Sequence, residues 1–470
     1  MDSKTEKTES PVLGGVMVCH PPLIVPAVGK GEEKEVSEIT EAYEKAAQEI
    51  VDMHPDTVVI VSPHAPSYLD YIQLTSAPVS CGSLTQFGDQ KDFFTVHNDL
   101  ELVREMEKIA EEQEFAMGTL GRQNEPLDHG TVVPLYFLQN LPEDTKIVRM
   151  SIGGLSNLDH YKAGQILAAA AKKLGRKVAV VASGDLSHCQ KEGSSYGFKA
   201  CGPIYDAKIM DIMSNGDFVS LVEMPEKEAD DAMSCGHKPF CVMAGAMDGF
   251  KPESKGLAHS AEFGVGYGIC TYTDLQKDEN RHLYDMIEKD LEKRRSEARA
   301  KEDEYVKLAR RTIENYIRKG IVEPLPGDLS EELRKDKAGV FVSIHEFGGL
   351  RGCIGTTAPT QKNIAMEIVN NAISASTRDP RFSPIRPEEL KDLEINVDVL
   401  TPSTVCSIDD LDPKKYGVIV SSKGRRGLLL PDLEGVDSVE QQIRIAKQKA
   451  GILEDEQDIE LERFEVVRHV

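Results

Sequence analysis

The sequence lacks the features that mark exported, disulfide-bonded and membrane-spanning proteins. Its nine cysteines are an odd number with no CxxC pair, which favours reduced thiols inside the cell. No apolar run approaches the roughly 18 residues that a membrane-spanning helix needs. Residues 1–10 are polar and charged, where a signal peptide would lead from a basic stretch into an apolar one. We therefore expect a soluble, cytoplasmic protein with no membrane partner.

Acidic residues also outnumber basic ones, with 79 Asp and Glu against 55 Lys and Arg. The formal net charge is −24, and residues 305–470, with 24 Lys and Arg against 28 Asp and Glu, account for only −4 of it. The first 304 residues therefore carry −20. Because nucleic-acid binding normally requires Lys and Arg to displace counterions from phosphates, this composition argues against a nucleic-acid partner for that part of the chain.

The 470 residues are too many for one ordinary core, and the pattern changes once along the chain. Residues 12–275 alternate short apolar runs with amphipathic stretches, which predicts an α/β domain with a central, mainly parallel sheet flanked by helices. Residues 276–304 are densely charged without proline, which is typical of an exposed helical linker. Residues 305–470 begin with an amphipathic helical pattern and continue with strand patterns, which predicts a second, α+β domain.

Three histidines of the first domain follow apolar, strand-like runs. His20, His64 and His188 each stand in a turn marked by proline or glycine just after such a run. Catalytic groups collect beyond the carboxyl ends of strands in open α/β sheets, so the three should share one site. Each alone could be an ordinary polar turn residue. Together, His20 and His64 are the best first two ligands for a divalent metal.

The third ligand is left open by spacing alone. Cys235 precedes an apolar, helical run at 240–247, and a helix N-terminus lowers the pKa of a thiol toward the thiolate that binds metal. It could equally be a buried small hydrophobe, the usual state of a free cysteine. His237 and Glu262 are the alternative ligands.

Further groups are candidates for proton transfer and substrate binding. His188 follows Asp185 by three residues, so it could move a proton beside the metal while Asp185 orients or polarises it. His129 could donate a hydrogen bond to a substrate. The alternative for His129 is the start of a helix, with Asp128 as its N-cap.

Five segments, taken in order, resemble the LigB-like class III extradiol dioxygenase superfamily and in particular its Memo-like branch: His20–Pro22, Ser62–Ala65, Asp128–Gly130, Ser183–His188 and Cys235–Gly236. The resemblance covers roughly residues 12–275. It implies an α/β fold with a mononuclear non-haem Fe(2+) site, with His20 and His64 as ligands and His188 as the active-site acid/base.

The resemblance also implies a third ligand. Ring-cleaving members have a glutamate in this slot, whereas Memo-like proteins have a cysteine, and Cys235 falls there. A site of two histidines and one cysteine makes ordinary catechol cleavage unexpected. His237 departs from the Memo-like pattern, because those relatives carry their histidine one residue later.

Segments of the second half resemble the AMMECR-type domain: Leu350–Gly355, Asn371–Ala372, Arg378–Phe382, Glu394–Ile395 and Arg426–Pro431. The fusion is similar to the B and A components of the AmmeMemoRadiSam system, which implies a radical-SAM protein as partner. No CxxxCxxC motif occurs here, so the cluster chemistry would lie in that partner. Cys353 is the candidate for chemistry in this domain, because the nearby Arg351 would lower its pKa. A tight strand crossing around a small buried side chain is the alternative.

Three functions stay open at the level of sequence. A dioxygenase-like, Fe(2+)-dependent oxidoreductase would act on an aromatic, catechol-like or other oxygen-rich small molecule. The same ligands suit Zn(2+) and hydrolysis by a metal-bound water. A non-catalytic scaffold, or partner of a radical-SAM protein, would keep the site without turnover. The sequence does not name the substrate or the oligomeric state.

Overall fold

The structure is a computed structural model that describes residues 10–123, 125–346, 348–387, 389–433 and 435–470. The chain divides into two compact units, Met1–Asp290 and Leu291–Val470. The division falls within the segment predicted as a charged helical linker. A single helix, Leu283–Lys301, occupies most of that segment.

The first unit alternates strands and helices. Its strands are β1 (Val12–Val18), β2 (Thr57–Val61), β3 (Ile72–Gln73), β4 (Val79–Ser83), β5 (Phe93–His97), β6 (Met117–Gly118), β7 (Lys146–Met150), β8 (Val178–Ser183), β9 (Phe250–Ser260) and β10 (Tyr267–Lys277). Its helices are α1 (Pro26–Gly29), α2 (Ser37–Asp52), α3 (Leu100–Glu112), α4 (His129–Phe137), α5 (Asn157–Leu174), α6 (Cys201–Asn215), α7 (Phe218–Glu223), α8 (Glu226–Asp231) and α9 (His237–Ala246). Short 3-10 helices lie at Pro22–Ile24, Glu32–Val36, Thr85–Phe87 and Glu279–Arg281.

The central sheet has six strands in the order β7-β2-β8-β1-β10-β9. The first four are parallel neighbours, and β10 and β9 extend the sheet in antiparallel fashion. Every residue of β2 and β8 is buried, which explains their unbroken apolar sequences, because parallel strands are covered on both faces. The predicted α/β fold with a mainly parallel sheet is confirmed. The antiparallel extension was not predicted, since β9 is largely exposed and has no apolar run.

The strand order places the three histidines together. β2, β8 and β1 are adjacent in the sheet and parallel, and His64, His188 and His20 follow their respective carboxyl ends. Behind this edge, α5 and α9 cross so closely that a Cβ on Gly245 would lie 1.8 Å from the Tyr161 carbonyl oxygen. That contact fixes α9, whose N-terminus follows Cys235.

The second unit is an α+β domain, as predicted. Its strands are β11 (Val340–Glu346), β12 (Gly349–Gly355), β13 (Leu393–Leu400), β14 (Thr404–Val405), β15 (Gly417–Ser422), β16 (Arg425–Leu429), β17 (Glu460–Phe464) and β18 (Val466–His469). They form two sheets, β12-β11-β13-β18 and β14-β17-β15-β16. The helices are α10 (Leu283–Lys301), which spans the division, α11 (Glu304–Lys319), α12 (Glu331–Lys335), α13 (Ile364–Thr377) and α14 (Val439–Ala450), with 3-10 helices at Glu389–Lys391 and Ile408–Asp410. None of the helices described in either unit is long and apolar enough to cross a membrane.

Candidate metal centre

Three side chains meet where the parallel strands end. The ligand atoms of His20, His64 and Cys235 all lie within 4.8 Å of one another, and no other such group of His, Cys, Asp or Glu is found among the described residues. His20 Nε2 is 3.1 Å from His64 Nε2 and 3.6 Å from Cys235 Sγ. Ligands about 2.1 Å (nitrogen) and 2.3 Å (sulfur) from one ion would be roughly 3.0–3.4 Å and 3.1–3.6 Å apart. The two distances from His20 Nε2 therefore have the spacing of ligands that share one divalent ion.

A contact between two glycines brings Cys235 to the histidines. A Cβ on Gly184, which follows β8, would lie only 2.1 Å from the Gly236 Cα. The Gly236 N–H donates to the Asp185 carbonyl oxygen over 3.0 Å, and the Asp185 N–H donates to Cys235 Sγ over 3.2 Å. Backbone thus packs on backbone, and any larger residue at either glycine would move the thiol away from the imidazoles.

Ser183 fixes the tautomer of His20. Its hydroxyl lies 2.6 Å from the Gly130 carbonyl oxygen, which can only accept, and 2.9 Å from His20 Nδ1. Because the single hydroxyl proton goes to the carbonyl, Ser183 Oγ must accept a proton from His20 Nδ1. His20 Nε2 is then unprotonated, and its lone pair faces His64 and Cys235. This is how an outer hydrogen bond orients a metal-binding imidazole.

The histidines are kept neutral. Burial lowers the pKa of His20 well below its usual value, and the nearby His64, His129 and His188 lower it further. His64 has an exposed edge, yet partial burial, and next the imidazole of His129, lower its pKa to about 4. Neutral imidazoles are the form that binds metal.

The pKa values of the Cys235 thiol and of the neighbouring Asp185 carboxyl are raised, whereas those of the histidines are lowered. Burial, and next the charge of Asp185, raise the pKa of Cys235 despite the start of α9 two residues later. Burial also raises the pKa of Asp185 to about 7, although the hydrogen bond from the His20 N–H opposes this. Burial thus outweighs the helix effect predicted from the sequence. A bound cation would lower the pKa of the Cys235 thiol, because it stabilises the thiolate.

His188 lies beside the cluster, close enough for its charge to act on His20 and His64. Its Nδ1 lies 3.1 Å from the Leu186 carbonyl oxygen, and the ring also has a hydrogen bond with the Met233 backbone. Burial lowers its pKa, so the ring is neutral at pH 7. Asp185 does not orient it as predicted. The Asp185 carboxylate instead accepts a hydrogen bond from the His20 N–H over 2.9 Å. The carboxylate whose charge raises the pKa of His188 is that of Asp206.

His129 stacks on a ligand. Its ring centroid is 4.2 Å from that of His64 at 29°, and Phe87 covers it at 5.4 Å. It is also the first residue of α4, with Asp128 at the N-cap position. The Asp128 carboxylate does not cap the helix, however, but accepts the hydroxyls of Ser62 and Thr131.

Two predicted alternatives for the third ligand point elsewhere. His237 is buried in α9, where Nε2 donates to the Leu221 carbonyl oxygen over 3.0 Å and Nδ1 lies 3.1 Å from the Tyr205 hydroxyl. Glu262 pairs at the surface with Lys191 Nζ over 2.8 Å.

Cys353 lies in the second unit, where its thiol accepts a hydrogen bond from the Ser343 hydroxyl over 3.2 Å. Arg351, predicted to activate that thiol, is paired with Glu389 over 2.7 Å instead.

Sequence reasoning missed several residues that build the site. Ser183 has no predicted role of its own within the Ser183–His188 segment, although a hydroxyl at the last position of a buried strand is a usable signal. Gly184 and Gly236 could have been recognised from the sequence, because each glycine is adjacent to a candidate site residue. Tyr196, whose ring meets His188 edge-on at 5.1 Å, has no signal in the sequence.

Comparison with known proteins gives a family for each half of the chain. A family model described as the catalytic LigB subunit of aromatic ring-opening dioxygenase matches residues 14–270, more than half of the chain. The chain belongs to the LigB family. A second model, AMMECR1, matches residues 306–469. The predicted combination of a LigB-type and an AMMECR-type domain is confirmed, and the LigB domain is a catalytic, metal-dependent type of fold.

Relatives extend along the whole chain. A protein of Clostridium acetobutylicum is 37% identical over 474 residues, which cover 97% of this chain and 98% of that protein. A protein of Thermotoga maritima is 57% identical over 171 residues, which cover 36% of this chain and 98% of that protein. Among solved structures, an uncharacterized protein of Pyrococcus horikoshii has 31% identity and a TM-score of 0.33, and covers 35% of this chain and 88% of its own. An uncharacterized protein of Escherichia coli K12 has 15% identity and a TM-score of 0.40, and covers 56% and 100%.

Proposed function

We propose that the LigB domain is a metal-dependent oxidoreductase of the dioxygenase type, which uses Fe(2+) on an oxygen-rich small molecule. The observation that supports this most strongly is the convergence of His20 Nε2, His64 Nε2 and Cys235 Sγ at the strand ends of a LigB domain. Two imidazoles and a thiolate suit iron, and three protein ligands leave positions open for substrate. Iron, when bound, would supply Lewis-acid and redox chemistry.

The protein's own residues bind, orient and move protons. His20 and His64 are neutral and ready to ligate, and Ser183 holds His20 in the productive tautomer. His188, whose ring burial keeps neutral, would take a proton from a substrate hydroxyl and return it later. His129, stacked on His64, would donate a hydrogen bond to a substrate oxygen from the same side.

We also propose a partner protein and a cellular location for this chain. The fusion itself supports a radical-SAM protein as the partner of this chain. The described thiols are all free, which supports a cytoplasmic location, where thiols stay reduced.

The direct test is oxygen consumption by the full chain, purified without oxygen, loaded with ferrous iron and mixed with a panel of catechols and other polyhydroxylated compounds. We expect iron-dependent uptake in the wild type and a loss of roughly 100-fold or more in His188→Gln, with iron content unchanged. His345→Gln, a histidine of the second unit, should behave as wild type and serves as the matched control.

Two results would contradict the proposal. Stoichiometric zinc with no ferrous-dependent oxygen uptake would favour the hydrolase. Unchanged uptake in His188→Gln would remove that residue from the chemistry.

A further inference from the structure

Arg149 is a buried cation for which no hydrogen-bond or ion-pair partner of its side chain is found among the described residues. The side chain is 3% exposed, and its Nη1 atom is fully enclosed without a hydrogen-bond acceptor. Among the residues that the structure describes, no carboxylate lies within ion-pair distance of this guanidinium. Burial accordingly lowers its pKa, although the charges of Asp128 and Glu125 offset part of the effect. An arginine stays protonated even so, which means that a positive charge is held in the interior.

Arg149 lies on the strand next to the one that leads to His64. Arg149 stands near the carboxyl end of β7 and is paired in register with Ile60 of β2. Ile60 precedes His64 by four residues. Ser62 connects the two strands: its N–H donates to the Met150 carbonyl oxygen over 2.9 Å, and its hydroxyl donates to Asp128. Asp128 in turn acts on the charge of His64 and His129. Arg149 therefore shares its closest electrostatic neighbour with two imidazoles of the site.

Asp128 does not neutralise Arg149 by contact. Its two carboxylate oxygens accept the hydroxyls of Ser62 and Thr131. Arg176 shows the ordinary arrangement in this same unit, because its guanidinium is 2.9 Å from Asp99 and 2.7 Å from Glu101. An unpaired buried charge costs stability, and an anionic group that paired with Arg149 would offset that cost.

We propose that Arg149 is an anion-binding residue of the LigB site and takes a carboxylate or phosphate group of the substrate. The planar guanidinium fork matches either oxyanion through two parallel hydrogen bonds. In a domain of strongly acidic composition, such a buried cation would select an anionic molecule over a neutral one of similar shape. That the bound anion belongs to a substrate rests on the proposed function. The binding of an anion by Arg149 does not depend on turnover.

The experiment measures binding of three probes to the full chain by calorimetry and by thermal unfolding: benzoate, phenyl phosphate and the neutral benzamide. In the wild type we expect an anionic probe to bind and raise the unfolding temperature, with benzamide inert. Preference for benzoate or phenyl phosphate identifies the natural group as carboxylate or phosphate. Arg149→Met should weaken anion binding roughly tenfold or more, whereas Arg149→Lys should retain part of it.

Stability without any probe separates a ligand-binding role from a structural one. Arg149→Met should raise the unfolding temperature, because it removes an unpaired buried charge. The matched variant Arg176→Met should lower it, because it removes the cation 2.9 Å from the buried Asp99. A lowered unfolding temperature in Arg149→Met would overturn the proposal, as would equal anion binding in that variant or no binding of either anion by the wild type.

The metal-free variant His64→Ala keeps this test independent of the proposed function. Anion binding that persists in His64→Ala and disappears in Arg149→Met supports Arg149 even if no iron is found. Anion binding that disappears in His64→Ala but persists in Arg149→Met assigns the anion to the metal and overturns the inference.

Discussion

The two units contain reactive side chains of the same kinds but surround them differently. In the first unit, His20 and His64 face each other at 3.1 Å beside a thiol, and burial keeps both imidazoles uncharged. In the second unit, Cys353 has a single hydroxyl donor and lies among charges that are already paired. The paired groups there are Arg351–Glu389, Arg381–Asp379 and Arg468–Asp398.

This difference distinguishes a candidate binding site from side chains that stabilise the fold. Paired ions stabilise or orient backbone, as Asp379 does when it also accepts the Cys353 N–H over 2.9 Å. Three ligand atoms that converge at the strand ends, as those of His20, His64 and Cys235 do, are instead arranged to bind something else. We therefore place the chemistry in the first unit and expect changes around Cys353 to leave metal binding intact.

The largest effect is expected from Gly184→Ala. The added Cβ would meet the Gly236 backbone at 2.1 Å, so the turn that carries Cys235 must move and metal affinity should fall by about 100-fold or more. Metal titration of the purified variants measures this. Gly352→Ala is the matched control, since its Cβ would meet the Ala375 carbonyl oxygen at 2.3 Å in the second unit. Equal loss of metal in both variants would show general unfolding rather than a local effect.

A smaller effect is expected from Ser183→Ala. Without the hydroxyl, His20 Nδ1 loses its acceptor and the Nε2 lone pair is no longer assured, so metal affinity should fall about 10- to 100-fold. Ser343→Ala removes the hydroxyl beside Cys353 and should leave metal affinity unchanged. Competition titration with a chelator resolves the two variants. Wild-type affinity in Ser183→Ala would refute the role assigned to this hydroxyl.

The smallest effect is a pH dependence of the first unit that does not involve the metal. Burial lowers the pKa of His160 to about 3, whereas an unfolded histidine titrates near pH 6.5. The unfolded state therefore binds more protons below pH 6.5, and the free energy of unfolding falls as pH drops, by up to about 1.4 kcal/mol per pH unit.

Denaturant unfolding of wild type and His160→Gln between pH 7 and pH 5 measures this contribution. The slope should be smaller in the variant. An identical slope would mean that other groups cause the acid sensitivity.

Much of the architecture could be predicted from the sequence. β2 and β8 are buried on both faces and therefore appear as continuous apolar runs, and His20, His64 and His188 follow the strand ends as expected. The choice among Cys235, His237 and Glu262 could not be predicted, because it depends on which way each side chain turns. His237 lies only two residues from Cys235, yet it points into the packing of α9 toward Tyr205.

Contacts between distant segments were also beyond prediction. The approach of Gly184 to Gly236 and the hydrogen bond from His20 to Ser183 join residues that are far apart in sequence. Arg149 has no local signal, since an arginine in a strand is usually an exposed or paired residue. Only its burial without a partner distinguishes it.

The central claim is tested most directly by the metal content of the full chain purified without oxygen. Elemental analysis should find stoichiometric iron in the wild type and in Cys353→Ala, and loss of iron in His64→Ala and Cys235→Ala. Wild-type protein without metal, or Cys235→Ala with undiminished iron, would contradict a site made of two histidines and one cysteine.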